Sequence, residues 1–221
     1  MSLRKFPFVE KEYYHVYNRG VDKRNIICDF HDLDRLLKSM VEFNTINPIG
    51  SIYENRERKR GSKASTFEEP QEPLVNFVAF GINSNHFHFI LEQVGELGIE
   101  KFMHRFGTGF SKFFNIKYER SGALFQGKFQ AKLVTSNEYL LHLSAYVNLN
   151  DRIHNRGSKA STLSKTSWDE YININYKDPF CKKDIVLGQF KNSEEYRKFA
   201  EESLRGMIEK KIMLLEEFDE D

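Results

Sequence analysis

The chain has 221 residues, which suits one domain of ordinary size with a real core and some appendages. Its 33 basic and 32 acidic residues leave a net charge of +1, so overall charge alone indicates no nucleic-acid partner. Two cysteines without a CxxC motif exclude a disulfide framework. We find no segment typical of a signal peptide or a membrane span, and we expect a cytoplasmic protein.

Hydrophobic periodicity predicts an alternation of strands and helices. In chain order we predict a strand at 13–18, a helix at 32–43, strands at 74–82 and 86–91, a helix at 99–118, a strand or hairpin at 123–134 and a helix at 138–149. This order predicts an α+β fold, a ferredoxin-like (RRM-like) antiparallel sheet with helices on one face. The helix at 138–149 is an addition to this fold, and a C-terminal helical extension follows it.

Two polar segments interrupt this pattern. Residues 50–72 have no apolar period and are interpreted as a flexible insertion into a domain spanning 1–155, with an extension at 156–221. The seven residues at 60–66 (RGSKAST) recur unchanged at 156–162. We favour two insertions of related DNA at permissive loops, while a paired phosphate-binding loop is the alternative.

Two histidines stand one residue apart at the start of a predicted strand. Successive side chains of a strand point to opposite faces, so His86 and His88 share one face while Phe87 and Phe89 turn into the core. Two neighbouring imidazoles can bind a divalent metal. Ordinary polar residues on a half-exposed strand would give the same pattern, and both interpretations stay open here.

Basic residues are concentrated between positions 101 and 132. Seven Lys or Arg occur there against one acid, Glu119: Lys101, Arg105, Lys112, Lys117, Arg120, Lys128 and Lys132. Such asymmetry indicates a locally basic surface on a nearly neutral protein, and a solvated helix face is the alternative.

The helix predicted at 138–149 begins after a good N-cap, Ser136 or Asn137. Tyr146 and Asn150 lie four residues apart, so a helix lasting to residue 150 would turn the phenol and the amide toward one point. Tyr139 lies on nearly the same side, two turns earlier. Helical direction alone does not distinguish the two tyrosines, but Asn150 is one turn from Tyr146 and three from Tyr139.

Four motifs in this order resemble the single-tyrosine HUH transposases, most of all the REP-associated tyrosine transposase branch. They are residues 14–20 (YHVYNRG), 86–88 (HFH), 122–129 (GALFQGKF) and 138–150, which begins EYLL and ends YVNLN. One departure follows Asn150, where family members continue Pro-Val-Arg-Ala-Gly and this chain has Asp151, Arg152 and Ile153. The departure concerns how the last helix ends.

The resemblance implies a reaction. Tyr146 would attack a phosphodiester of single-stranded DNA and leave a 5′-phosphotyrosine and a free 3′-OH. A phenol with a pKa near 10 is a weak nucleophile, so a metal held by His86 and His88 would neutralise the phosphate. Asn150 would be a third, oxygen ligand. Imidazole with amide oxygen suits Mg²⁺ or Mn²⁺.

The implied partner is single-stranded DNA that contains a hairpin, bound by a monomer or a homodimer. Candidate DNA-binding residues are Arg19, Arg105, Lys112, Lys117, Arg120, Gln126, Lys128 and Lys132. Phosphate contacts of this kind predict an affinity that falls steeply with salt.

Two other function classes remain as alternatives. A ferredoxin-like sheet with aromatic residues is also the scaffold of non-catalytic RNA-recognition modules, although their glycine- and aromatic-rich signature is missing here. A replication-initiator or relaxase-type nickase would share the chemistry. Those enzymes commonly have longer chains or a third histidine, which the strand at 86–91 lacks.

Overall fold

The computed structural model describes residues 7–61, 72–154 and 163–219. Their strands are β1 (Tyr13–Arg19), β2 (Val75–Ile82), β3 (His86–Gln93), β4 (Gln130–Leu133) and β5 (Lys165–Thr166). Their helices are α1 (Phe30–Glu42), α2 (Ile52–Gly61), α3 (Gly98–Lys117), α4 (Asn137–Asn148), α5 (Asn150–His154), α6 (Trp168–Ile172), α7 (Asp184–Leu187) and α8 (Ser193–Asp219).

The strands form one antiparallel sheet in the order β4-β1-β3-β2-β5. The first four strands have the ferredoxin-like order, because β1 and β3 occupy the centre and each βα unit crosses over a neighbouring strand. The predicted α+β fold with an antiparallel sheet is therefore confirmed. Tyr17 of β1 lies opposite His88 of β3, and Arg19 lies opposite His86.

One face of the sheet packs against α1 and α3. Phe87 and Phe89 are buried there as predicted, and the Phe87 ring meets the ring of Phe106 on α3 edge-on at 5.4 Å. Asp29 begins α1 with a capping box, accepting a hydrogen bond from the backbone NH of Asp32. Since side chains alternate along β3, the burial of these phenylalanines places His86 and His88 on the opposite face.

The opposite face packs against α4 and the helices after it. Val78 of β2 and Ile90 of β3 share a buried cluster with Leu143 and Val147 of α4. Tyr196 of α8 is part of the same cluster. The segment after residue 162 thus adds helices to this face of the sheet, and it adds β5 to the edge of the sheet beside β2. The predicted division of the chain at residue 155 stays a prediction.

The polar segment predicted to be a flexible insertion contains a helix. Ser51 and Glu54 cap its start reciprocally, with Ser51 Oγ accepting from the Glu54 NH and the Glu54 carboxylate accepting from the Ser51 NH. Ile52 is buried with Phe43 and Ile49. The helix is therefore stabilised by its N-terminal cap and by the burial of Ile52, although its sequence has no apolar period. Residues 62–71 and 155–162, which hold most of the RGSKAST repeats, lie outside the described residues.

Two predicted elements differ from the structure in their bounds. The strand or hairpin predicted at 123–134 is reduced to β4, because Gly127 within it adopts a positive φ of 69° that a strand does not accept. The helix predicted at 138–149 ends at Asn148, so it does not last to residue 150. Its N-cap is Ser136, as predicted, whose Oγ accepts from the Tyr139 NH at 3.1 Å.

Candidate active site

The two histidines of β3 project side by side from the face that carries α4. The rings of His86 and His88 are 5.2 Å apart and nearly perpendicular. Both side chains are only partly buried, whereas the phenylalanines between and after them are fully buried. The alternation expected for a strand therefore holds through this segment.

His86 is enclosed by three carboxamides. Its Nδ1 lies 2.6 Å from Asn85 Oδ1, and its Nε2 lies 3.1 Å from Asn83 Nδ2 and 3.0 Å from Asn150 Oδ1. The Asn85 amide is oriented by its own NH₂ group, which donates to the Lys23 carbonyl at 3.3 Å. Asn85 Oδ1 and Asn150 Oδ1 can only accept, whereas the Asn83 NH₂ group can donate. With the single ring hydrogen of a neutral His86 on Nδ1, Nε2 can accept from Asn83.

Asn150 reaches this cluster from α5. It is fully buried, and its Oδ1 accepts a hydrogen bond from Asn83 Nδ2 at 2.5 Å. Its own Nδ2 is buried and has no hydrogen-bond partner among the described residues. An amide oxygen and an imidazole nitrogen thus converge next to an unsatisfied amide group, an arrangement that fits a site for a further ligand.

Tyr146 lies over His88. The two rings meet edge-on, with their centres 5.2 Å apart. Burial raises the pKa of Tyr146 above its usual value of 10, and the neighbouring Asn150 side chain partly opposes this rise. The phenol is therefore protonated at neutral pH and needs help to become a nucleophile.

Gly81 allows α4 to come this close to the sheet. It pairs with His88 across β2 and β3. A Cβ atom at position 81 would lie 2.5 Å from the carbonyl oxygen of Val147, far inside van der Waals contact. The absence of a side chain there sets the height of Tyr146 above the histidines.

A third histidine, which the sequence analysis missed, joins the site from β1. His15 is buried, and its Nε2 lies 2.8 Å from His88 Nδ1. Burial, with a smaller contribution from the charge of Lys132, lowers the pKa of His15 to about 4. The alternation of Tyr13, His15 and Tyr17 along β1 was a usable signal, because it places all three on one face of a strand.

His86, His88 and Tyr146 line an open cavity of about 740 Å³. The rest of its wall consists of polar and basic residues: Tyr17, Asn18, Arg19, Lys23, Asn83, Ser84, Asn85, Gln126 and Gln130. Arg19 and Gln126, both predicted to contact DNA, hydrogen-bond to each other at its rim. Tyr139 does not line this cavity.

The other candidate DNA-binding residues do not gather at this cavity. Lys112 and Lys128 line a second cavity, about 1010 Å³, between α3 and the segment at 122–131. Arg105 donates to the carbonyls of Thr45 and Ile46, and Arg120 donates to Asn115 Oδ1 at 3.0 Å. Lys132 is exposed on β4, beside β1.

Lys117, which is partly exposed, forms ion pairs with two carboxylates. Its Nζ lies 2.6 Å from Asp29 Oδ2 and 2.7 Å from Asp32 Oδ1. Burial lowers the pKa of Lys117, but hydrogen bonds to Asp29, Asp32 and Tyr118 raise it further, so the net shift is upward.

A second group of potential metal ligands lies next to this lysine. Asp29, His31 and Asp32 bring ligand atoms within 4.8 Å of one another, so this group could hold a metal ion. The Lys117 ammonium already contacts both carboxylates, however, and supplies the positive charge that a metal would bring there.

Among the described residues, no helix has the length and apolar character needed to cross a bilayer.

Comparison with family models gives no match, and comparison with curated protein sequences gives no match either. Among solved structures, the chain is similar to a REP-associated tyrosine transposase bound to a REP hairpin, with a TM-score of 0.46 and 14% identity. That similarity covers 74% of this chain and 82% of the other.

Proposed function

We propose that this chain is a metal-dependent endonuclease and strand transferase of single-stranded DNA, with Tyr146 as its nucleophile. The observation that carries the proposal is the convergence of Tyr146 and two strand histidines on one cavity, with the buried Asn150 amide oxygen 3.0 Å from His86. A phenol for attack and donor atoms for a cation are what such a reaction requires.

The side chains fit a divalent cation. His86 Nε2 lies 3.0 Å from the Asn150 amide oxygen, and His88 projects from the same face of β3. Two imidazole nitrogens with one amide oxygen suit Mn²⁺ or Mg²⁺, Mn²⁺ being favoured by the nitrogen ligands. When bound, the cation supplies charge neutralisation at a non-bridging phosphate oxygen.

The protein's own residues define the covalent step. The Tyr146 oxygen forms a bond to phosphorus while the bond from phosphorus to the 3′-oxygen breaks. The phenolic proton is lost to solvent, and the departing 3′-oxygen gains a proton and becomes the 3′-OH. The 5′-phosphotyrosine keeps the energy of the broken ester, so attack by a 3′-OH rejoins the strand without a nucleotide cofactor.

The proposed substrate is single-stranded DNA with an adjacent hairpin. The cavity that holds Tyr146 is open and lined by carboxamides and by Arg19 and Lys23, groups that contact base edges and phosphates. Lys132 on the neighbouring strand would add a phosphate contact. The proposal includes binding of a DNA hairpin, a transposase function, and Mn²⁺ or Mg²⁺ as the metal.

The proposal is tested by trapping the covalent intermediate. The full chain is incubated with Mn²⁺ and a hairpin-containing single strand, and the peptide that carries nucleotide is identified by mass spectrometry. We expect an adduct on Tyr146 that Tyr146→Phe abolishes and Tyr139→Phe retains. DNA binding should survive both changes.

The same experiment separates the competing functions. Tight binding by the wild-type chain without any adduct would favour a binding module over an enzyme. An adduct on Tyr139, or an undiminished adduct in Tyr146→Phe, would overturn the assignment of the nucleophile.

A further inference from the structure

His15 makes a short and specific contact with one of the two strand histidines. Its ring lies 5.1 Å from the ring of His88, nearly parallel to it, and its Nε2 is 2.8 Å from His88 Nδ1. The side chain is buried beneath Tyr146, whose ring is 6.2 Å away. Two neutral imidazoles at this distance share one hydrogen, with one nitrogen donating and the other accepting.

The direction of this hydrogen bond decides what His88 can do. A neutral imidazole has a single ring hydrogen. If His88 Nδ1 donates to His15 Nε2, the hydrogen of His88 is on Nδ1 and its Nε2 carries a lone pair. If His15 donates instead, the hydrogen of His88 is on Nε2, which then cannot ligate a metal.

The neighbouring histidine shows which direction the site favours. Nδ1 of His86 lies 2.6 Å from Asn85 Oδ1, whose amide is oriented by its own bond to the Lys23 carbonyl. A ring hydrogen on Nδ1 satisfies Asn85 and leaves Nε2 free to accept from the Asn83 NH₂ group at 3.1 Å. Both strand histidines thus use Nδ1 for a contact within the protein, one with Asn85 and the other with His15.

We propose that His15 is a positioning residue that accepts the Nδ1 hydrogen of His88 and thereby holds His88 in the tautomer that ligates through Nε2. The inference rests on the proposed metal-binding role of His88. His15 itself is not a ligand, because the nitrogen that faces His88 is engaged in this hydrogen bond. Partners of this kind typically change metal affinity 10- to 100-fold when removed.

The first experiment needs no metal. Long-range ¹H–¹⁵N correlation spectra of the ¹⁵N-histidine-labelled full chain report which ring nitrogen of each histidine is protonated, with His88→Ala used for assignment. We expect His88 to be protonated on Nδ1. Protonation of His88 on Nε2 in the wild-type chain would overturn the proposal whatever the activity of any variant.

The second experiment measures Mn²⁺ binding by calorimetry. His15→Leu removes the acceptor and should weaken Mn²⁺ binding about 10- to 100-fold. His15→Gln, whose amide oxygen reaches about as far as the imidazole Nε2, should restore the affinity to within a few-fold of wild type. Recovery by Gln separates a hydrogen-bonding role from simple filling of space.

A third variant distinguishes failure of this inference from failure of the proposed function. If His88→Ala abolishes Mn²⁺ binding while His15→Leu leaves it unchanged, the positioning role is wrong and the metal site stands. If His88→Ala also leaves Mn²⁺ binding unchanged, the metal site and the role of His15 are both overturned.

Discussion

Asn150 Oδ1 lies 3.0 Å from His86 Nε2, although the helix that carries Tyr146 ends two residues before Asn150. Leu149, with φ −112° and ψ 17°, breaks the helix, and Asn150 opens the short helix α5. The break gives the amide its own direction, so that it contacts His86 and Asn83 while Tyr146 lies over His88. Tyr146 and the Asn150 amide are thus placed separately, each against a different histidine.

The two strand histidines should be required for metal-dependent nicking. We expect His86→Ala and His88→Ala each to lower Mn²⁺-dependent cleavage of single-stranded DNA by roughly a thousandfold or more, since charge neutralisation at phosphate supplies several kcal/mol. Circular dichroism should show an unchanged fold, because both side chains are only partly buried. His104→Ala, an exposed histidine on α3, is the control. Cleavage at the wild-type rate by either variant would remove the metal-site hypothesis.

Gly81 should be sensitive to the smallest substitution. In Gly81→Ala the new methyl group would meet the Val147 carbonyl oxygen at 2.5 Å, so the backbone of α4 must move away from the sheet. We expect adduct formation through Tyr146 to fall at least about tenfold, since misplacement of a reactive group by about 1 Å costs on the order of a hundredfold. The assay is single-turnover adduct yield on a denaturing gel.

A glycine in open space provides the matched control. A Cβ atom at Gly107 of α3 meets nothing within 4 Å, so Gly107→Ala should keep the activity and stabilise the helix by about 0.5–1 kcal/mol. Equal activity of the two alanine variants would show that the close approach at Gly81 does not position Tyr146.

Lys117 should contribute mainly to stability. Asp32 is fully buried, and Lys117→Met leaves its carboxylate without the ammonium at 2.7 Å. We expect a loss of about 3 kcal/mol in the free energy of unfolding, measured with urea. Lys38→Met removes an exposed pair with Asp34 and should cost less than about 0.5 kcal/mol. Similar losses in both variants would contradict the structural role of Lys117.

Tyr196 should link α8 to the helix that carries Tyr146. Its hydroxyl accepts from Asn148 Nδ2 at 2.8 Å and lies 3.1 Å from Ser144 Oγ. Tyr196→Phe leaves the buried Asn148 NH₂ without this acceptor, so we expect a loss of about 1–2 kcal/mol in unfolding free energy at pH 7. Tyr53→Phe, at an exposed position, should change stability little.

The same tyrosine predicts a pH dependence. Burial raises the pKa of Tyr196 to about 12, whereas in the unfolded chain it titrates near 10. The unfolded state therefore loses this proton first, and stability falls as pH rises from about 10 to 12. Urea unfolding at pH 9 and pH 11 should show a smaller decrease for Tyr196→Phe than for wild type. An identical decrease would show that Tyr196 is not a source of the pH dependence.

The sequence by itself determined most of the strands and helices before residue 150 and the two faces of β3, although it did not reveal helix α2. Alternation in β3 placed Phe87 and Phe89 in the core and the two histidines opposite, and Ser136 marked the start of α4, because these features depend on neighbours within a few residues. Residues distant in the chain were joined only by the tertiary structure. His15 meets His88 through strand pairing, Asn150 reaches His86 through a helix break, and Lys117 turns inward to Asp32. No local period encodes such contacts, because each depends on how separate elements pack and on where buried polar groups find their partners.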